Sequence, residues 1–373
     1  MRSLRTRGSG DDGAALLFVV LILVTLIGFA AIALDTAALV QERRELQNGA
    51  DAAAMAVAQR CAEAATCNVF GLKNTADGYA NQNAGDGAAF VDDLCGTTPA
   101  PSLPACTDPP SGLPDGANYV QVTTRTGTSG APSKVPFNFA RVFPGTDGQG
   151  VSRTASVTWG SPKSMSTAPF VMSQCDWSTR SNNGTFFAPP PPYPPYPARS
   201  TYMETIFFHG DGTGNGDGDA EDCDRRNPSG QYVPGGFSFL ATDSRSPCPR
   251  TITIDDWAPS GTGRSPSKRA CEDYFRGLKN TVVAVPVFDD AQGNGNNASY
   301  HVIGFAAFYL VSYWFEGSMA EPADEFFGQF DFHPYGCDGH ESCIRGYFLN
   351  NQIVSEGTVG GPPMGLIAIQ YVQ

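Results

Sequence analysis

An uncharged apolar run of 21 residues, Ala14 to Leu34, constrains the fold of this chain more than any other feature. A helix rises about 1.5 Å per residue, so a helix of this length spans about 30 Å, the thickness of the hydrocarbon core of a bilayer. Three arginines precede the run, and basic residues beside a membrane helix favour the cytoplasmic side. The pattern predicts a single-pass protein of the cytoplasmic membrane, with a cytoplasmic tail over residues 1–12, a transmembrane helix over residues 13–35 and the bulk of the chain at the cell surface.

A cleaved secretion signal is the alternative interpretation of the same run, and Ala31-Ile32-Ala33 would be its cleavage site. The apolar core of a secretion signal usually has about 7 to 15 residues, which is shorter than this run. The length of the run therefore favours an anchor that is retained.

The helix is predicted to continue beyond the membrane, because no proline occurs before Pro99 and Gly49 is the only strong helix-weakening residue between Gly28 and Gly71. Beyond Asp35, apolar and small residues share one helical face, namely Leu39, Leu46, Ala50, Ala53 and Val57. We expect this face to pack against another helix outside the membrane. Asp35 itself lies at the membrane boundary, where it either caps or pairs with a partner or stays a solvated carboxylate.

The order of residues in this N-terminal segment resembles the TadE/TadG-like proteins of Flp (tight-adherence) pilus assembly. The shared features are a glycine before the apolar run, an Asp at its outer end, and an arginine-rich Leu-Gln-Asn with an alanine-rich block; here these are Gly13, Asp35, Arg43, Arg44, Leu46, Gln47, Asn48, Ala50, Asp51 and Ala52 to Ala54. Residues 119–125, 135–143 and 151–159 resemble the later segments of the family's N-terminal module, and residues 283–315 resemble the C-terminal region of its longer members. The resemblance implies a pilin-like module on a single membrane helix.

Two departures from related proteins limit what the resemblance implies. Pilins that are trimmed by a prepilin peptidase carry Glu at the fifth position after the cleaved Gly, but here that position is Ala15 after Gly10 and Phe18 after Gly13. Some TadG-like proteins carry a von Willebrand-type domain whose metal site begins Asp-x-Ser-x-Ser, and this string is absent. We therefore predict a permanently anchored chain without that adhesive domain.

Ten cysteines follow the apolar run, and an even number outside the cytoplasm suggests disulfides. The candidates are Cys95 with Cys106, Cys337 with Cys343, and also Cys223 and Cys248. A zinc site formed by His333, Cys337, His340 and Cys343 is the alternative for Cys337 and Cys343, but these spacings are short for a tetrahedral site. The formal net charge of −13 argues against nucleic acid as a partner, because phosphates repel an acidic surface.

The exported part divides by composition into a pilin-like α+β module over residues 36–160 and a β-rich, sandwich-like domain over residues 161–373. Alternating residues in 119–124 and 151–157 predict half-buried strands of the first. In the second, strands are predicted over residues 201–208, 282–288, 302–315 and 365–372, and a short helix begins at Ser265-Pro266. The run 302–315 is apolar on both faces, which predicts a central strand, and it is too short to cross a membrane as a helix. The fold class is α+β.

The segment 211–222 is the best candidate for a metal site. Its oxygen-bearing residues fall at the ligand positions of a calcium loop, as Asp211, Thr213, Asn215, Asp217, Asp219 and Asp222. Against calcium, the last ligand is Asp where such loops carry a bidentate Glu, and the preceding segment is strand-like. A flexible acidic surface loop is the alternative, and we favour it, so no cofactor is predicted apart from this candidate calcium ion.

No nucleophile elbow, phosphate-binding glycine loop or dinucleotide fingerprint occurs in the chain. We therefore predict a non-enzymatic component of Tad/Flp-type pilus assembly, or a minor pilin-like subunit, whose partners are other pilus-assembly membrane proteins or pilin helices in an oligomer or complex. The alternative is a membrane-anchored surface adhesin or carbohydrate-binding protein, stabilised by calcium.

Overall fold

The computed structural model of the protein describes residues 12–63, 67, 69–98, 103–114, 117–128, 131–140, 147–189, 201–209, 223–241, 248–261, 269–294, 297–315, 319–322, 341–354 and 357–372. The chain forms two compact units. The N-terminal unit comprises residues 1–57, 66–110 and 120–156, and the C-terminal unit comprises residues 58–65, 111–119 and 157–373.

One long helix, α1 (Asp12–Glu63), begins the chain and contains 52 residues. Alanine, leucine and other good helix formers fill it, and no proline interrupts it. The hydroxyls of Thr25 and Thr36 donate to the carbonyl oxygens of Leu21 and Ile32, each at 2.8 Å, so these polar side chains are satisfied within the helix. The predicted continuation of the apolar helix beyond residue 35 is confirmed.

Besides α1, the N-terminal unit contains a second helix and several strands. Its further elements are α2 (Val69–Gln82), β1 (Ala89–Thr97), β2 (Asn118–Thr128), β3 (Ala131–Pro132), β4 (Val135–Pro136), β5 (Gly148–Gln149) and β6 (Ser152–Gly160). Strands β1, β2 and β6 are successive neighbours in one sheet, β3 pairs with β2, and β4 pairs with β5. Buried and half-buried residues alternate along β2 from Val120 to Thr126, as the sequence predicted for a half-buried strand.

The C-terminal unit is built mostly from strands. Its helices are α3 (Gln174–Arg180) and α4 (Arg269–Leu278), and its strands are β7 (Pro162–Thr167), β8 (Phe170–Ser173), β9 (Glu204–Phe207), β10 (Arg225–Arg226), β11 (Tyr232–Val233), β12 (Phe237–Phe239), β13 (Arg250–Thr253), β14 (Trp257–Pro259), β15 (Thr281–Gln292), β16 (Ser299–Phe315), β17 (Met319–Glu321), β18 (Cys343–Leu349), β19 (Asn351–Val354), β20 (Thr358–Val359) and β21 (Leu366–Tyr371).

An eight-stranded sheet forms the centre of this unit. Its order is β12-β8-β15-β16-β18-β9, and β14 and β17 also pair with β16. Residues on both faces of β16 are buried, so the predicted central strand is confirmed. Phe308 and Leu310 join the apolar cluster on one face, whereas Ala307 and Tyr309 join the cluster on the other.

Register shifts interrupt the simple alternation of β16. The pairing with β15 slips near Gly304, and the pairing with β18 slips between Leu310 and Ser312. As a result, Ile303 and Phe305 pack against different clusters although they are two residues apart. The alternation expected from sequence therefore holds only between the bulges.

Two further layers cover the faces of the eight-stranded sheet. On one face, Phe275 of α4 contacts Phe170 and Phe315, with ring centroids 6.0 and 5.3 Å apart. On the other, the three-stranded sheet β13-β7-β20 contributes Met165 and Ile252 to the cluster of Tyr309. Strand β21 runs parallel to β19 and pairs antiparallel with residues 157–160 of β6.

Each of the two units contains disulfide bonds. Cys95 is bonded to Cys106, the pair that the sequence favoured, while Cys175 is bonded to Cys223 and Cys248 to Cys271. The two last bonds tie α3 and α4 to the segments that hold Cys223 and Cys248. The predicted fold class is confirmed: a long apolar N-terminal helix, a mixed α+β chain that consists mostly of sheets, and disulfides in its β-rich part.

Candidate functional site

The first half of α1 leaves its apolar side chains uncovered. The large apolar residues between 16 and 34 expose 50 to 68% of their surface. By length and composition, this is the one helix among the described residues that qualifies as a membrane span, with a mean hydropathy of 3.1 over its most apolar window. Such a surface is unfavourable in water, and lipid or the apolar face of another membrane helix would cover it.

Asp35 is the first charged residue after this run, and only 6% of its surface is exposed. Its carboxylate accepts hydrogen bonds from three consecutive backbone N–H groups: Asn138 donates to Oδ1 at 2.8 Å, Ala140 donates to Oδ2 at 2.7 Å, and Phe139 lies 3.3 and 3.2 Å from the two oxygens. Consecutive N–H groups that converge on one anion are a recurrent way to hold a buried charge. We call Asp35 and the backbone of residues 138–140 the carboxylate latch.

The carboxylate latch joins residues that are more than 100 positions apart in the sequence. Both oxygens of Asp35 thus accept hydrogen bonds from the backbone of its own chain. No local pattern pointed to residues 138–140 as its partner. The result is a direct connection between the end of the apolar run and the folded N-terminal unit.

Above the carboxylate latch, the predicted helical face is buried inside the N-terminal unit. Leu46, Ala50, Ala53 and Val57 have no exposed surface, and Leu39 is half-buried. Leu46 belongs to a cluster with Ala84, Ala89 and Val151, against which Leu39 also packs. The chain's own second helix and sheet cover this face, since Gly49 lies against Ala80 of α2 and Leu46 packs in the cluster with Ala89 of β1.

Polar contacts set the register between α1 and the sheet. Thr124 and Thr126 are two positions apart on β2 and point to the same side. The Thr124 hydroxyl donates to the Leu46 carbonyl oxygen at 2.9 Å, and the Thr126 hydroxyl donates to Glu42 at 2.8 Å. Their sequence signal was the pattern Val120, Val122, Thr124, Thr126, in which two threonines continue an apolar face.

Two carboxylates of α1 outside the membrane run differ in environment. Burial raises the pKa of Glu42, although the Thr126 hydroxyl opposes this shift. The pKa of Glu45 is lowered, chiefly because the Gly85 N–H donates to its carboxylate at 2.7 Å. Glu45 thus stays ionised and tethers the loop that follows α2.

Gly49 is a contact point between helices. A Cβ at this position would lie 3.2 Å from both the Cα and the carbonyl oxygen of Ala80 on α2. A glycine here lets the two backbones approach closely, whereas the sequence marked it only as a helix-weakening residue. In contrast, a Cβ at Gly28 in the apolar run would meet no described atom within 4 Å.

The other candidate sites lie partly or wholly outside the described residues. This applies to the predicted calcium ligands Asp211, Thr213, Asn215, Asp217, Asp219 and Asp222, and to His333, Cys337 and His340 of the zinc alternative. Cys343 is described and is disulfide-bonded, which removes it as a zinc ligand. Within the part of the chain that the structure describes, no group of three or more His, Cys, Asp or Glu side chains is arranged to hold a metal ion.

An exposed apolar helix that is hydrogen-bonded to a folded unit at its outer end is typical of proteins anchored by a single N-terminal helix. Residues 13–60 match the family model described as putative Flp pilus-assembly TadE/G-like. The resemblance predicted for the N-terminal segment is therefore confirmed, and the match includes the apolar run, Asp35 and the buried face above it. The resemblance of residues 119–159 and 283–315 stays a prediction. Comparison with curated proteins and with solved structures found no match.

Proposed function

We propose that this chain is a membrane-anchored, non-enzymatic component of Tad/Flp-type pilus assembly or a minor pilin-like subunit. One observation carries the proposal: the TadE/G-like match covers residues 13–60, the segment that contains both the exposed apolar run and the face seated in the N-terminal unit. The apolar run and the face seated in the N-terminal unit are thus parts of one continuous helix. Its role is to hold an exported unit at the membrane during assembly.

The proposed orientation places the N-terminus in the cytoplasm and both units outside. The arginines at positions 2, 5 and 7 support this orientation by the positive-inside rule. The disulfides support it as well, because such bonds persist in oxidising compartments and are rare in the cytoplasm.

The proposed contact with partner helices lies within the membrane. Because the face from Leu39 to Val57 is covered by the chain itself, the run below Asp35 is the long exposed apolar stretch of α1, and we assign to it the contact with other pilus-assembly membrane proteins or pilin helices. Membrane helices pack most closely where small residues let their backbones approach. Gly28 provides open space of this kind.

The experiment is a deletion of the chain in its own organism, with pili counted by electron microscopy and surface attachment measured in parallel. We expect pili to be lost and to return when the full-length chain is supplied. A strain that makes normal pili but loses attachment would overturn this proposal and support the adhesin alternative instead.

A second pair of strains tests the contact within the membrane. Gly28→Leu fills the open space with a side chain that lipid tolerates, so we expect normal protein levels in the membrane but reduced piliation. Val24→Leu is the matched control, because residue 24 is already a large exposed side chain of the same run. Equal piliation in the two strains would contradict packing at Gly28.

A further inference from the structure

Phe139 is an aromatic side chain that the N-terminal unit leaves open to the surroundings. It exposes 43% of its surface, although its neighbour Phe137 is half-buried. Its backbone N–H belongs to the carboxylate latch, so its position relative to α1 is set by hydrogen bonds to Asp35. The fold therefore holds an exposed phenylalanine at a fixed place beside Asp35.

The carboxylate latch places Phe139 at the outer end of the apolar run. Leu34 is the last residue of the run, and the nitrogen of Phe139 is 3.2 Å from an oxygen of the adjacent Asp35. Successive residues of a helix differ in height by only about 1.5 Å, so the turn lies at the level where α1 leaves the hydrocarbon core. This is the interfacial depth at which aromatic side chains concentrate in membrane proteins.

The backbone N–H groups of the turn are already hydrogen-bonded, which suits a position near lipid, where little water is present. Unpaired N–H groups are costly near lipid, because little water is available to bond them. Here three consecutive N–H groups, those of residues 138–140, already donate to the Asp35 carboxylate. The turn can therefore approach the lipid without leaving those donors unsatisfied.

We propose that the turn of residues 138–140 is a second membrane contact, in which Phe139 inserts into the interfacial layer of the bilayer beside α1. The occupant of this surface is lipid, because the turn is hydrogen-bonded to Asp35, the residue that directly follows the exposed apolar run of α1. The contact rests on the membrane anchor of the proposed function. With two contacts instead of one, the tilt of α1 in the membrane is restricted.

The test measures how close position 139 lies to lipid in the full-length protein. The chain is reconstituted in vesicles of phosphatidylcholine and phosphatidylglycerol, with or without bromine on the acyl chains, since bromine quenches nearby tryptophan. Phe139→Trp is compared with the parent protein, whose four tryptophans supply the baseline. We expect the added tryptophan to emit at shorter wavelength than in water and to lose intensity in the brominated vesicles.

Two matched variants make the result decisive. Tyr79→Trp places a tryptophan at a similarly exposed position, 42%, next to Ala80, which packs against Gly49. Gly49 is 14 residues beyond Asp35, about 20 Å along the helix, so this variant is expected to escape quenching. Phe29→Trp lies within the apolar run and reports on the anchor itself.

The outcomes separate the inference from the proposed function. A quenched tryptophan at position 29 with an unquenched one at position 139 overturns the second contact and leaves the anchor intact. Equal quenching at positions 79 and 139 also overturns it, because the signal would then not depend on depth. An unquenched tryptophan at position 29 overturns the anchor and, with it, the second contact.

Discussion

The inner half of α1, residues 16–34, and its outer half, residues 36–63, both carry apolar side chains but have opposite surroundings. Residues 16–34 are exposed on all sides, whereas residues 46–57 present a face that the chain covers completely. The difference lies in the neighbouring polar groups: the outer half carries Glu42 and Glu45, which bond to the sheet and to the loop after α2, and the inner half has no charged side chain to form such bonds. The half that packs within its own chain is therefore the one that combines an apolar face with polar side chains able to bond to the rest of the unit.

The largest effect should come from a cavity in the buried half. Leu46→Ala removes a fully buried side chain from the cluster with Ala84, Ala89 and Val151, and we expect it to cost about 2–5 kcal/mol in the free energy of unfolding of the N-terminal unit. Leu26→Ala in the exposed half should cost less than about 0.5 kcal/mol, since it leaves no cavity. Residue-resolved hydrogen exchange of the full chain in micelles measures both, because it separates the two units. Similar losses in both variants would remove the contrast between the halves.

A smaller effect is expected where the halves meet. Asp35→Asn keeps the size of the side chain but removes the charge that accepts three N–H groups, and we expect a loss of about 2–3 kcal/mol in the local opening free energy of residues 138–140. Hydrogen exchange of these three amides is the measurement, and we expect it to be faster in the variant.

Asp92→Asn is the matched control for the carboxylate latch. Asp92 forms an ion pair with Arg125 in which both side chains are 42% exposed, so its loss should cost less than about 1 kcal/mol. If the two Asn variants changed the exchange of residues 138–140 equally, the carboxylate latch would have no special role.

The smallest effects are expected at Gly49 in the outer half of α1 and Gly28 in its inner half. Gly49→Leu forces a side chain against the backbone of Ala80, and we expect a cost of about 1–3 kcal/mol and faster exchange in α2. Gly28→Leu meets open space and gains helix propensity, so the N-terminal unit should keep its stability. Unchanged exchange of α2 in Gly49→Leu would show that α1 and α2 are less closely packed than the structure has them.

Several features of the fold were predictable from local patterns. The length of the apolar run predicted one membrane-spanning helix, and the absence of proline predicted its continuation beyond the membrane, which extends to Glu63. The apolar character of residues 302–315 on both faces predicted a central strand, because only a strand with covers on both sides buries both faces. The β-bulges in that strand were not predictable, because they arise from pairing with β15 and β18.

The candidate site was predicted only in part. Periodicity placed Leu46, Ala50, Ala53 and Val57 on one face correctly, but it could not say what covers that face. The hydrogen bonds of Asp35 to residues 138–140 and the close approach of Gly49 to Ala80 join segments that are far apart in the sequence. No local signal marks such pairs, because each partner is an ordinary backbone group.

By itself, the sequence determined that this chain has an apolar N-terminal helix, which surface of that helix is apolar, and that the rest is rich in strands and disulfides. These properties follow from composition and spacing, which act over a few residues. Only the tertiary structure decided that the apolar face of the outer half is buried within the chain and that the inner half stays exposed. It also decided that the Asp35 carboxylate is bonded to the backbone of residues 138–140. The reason is that burial of a residue depends on contacts with segments that are distant in the sequence. Those contacts form only when the whole unit packs together.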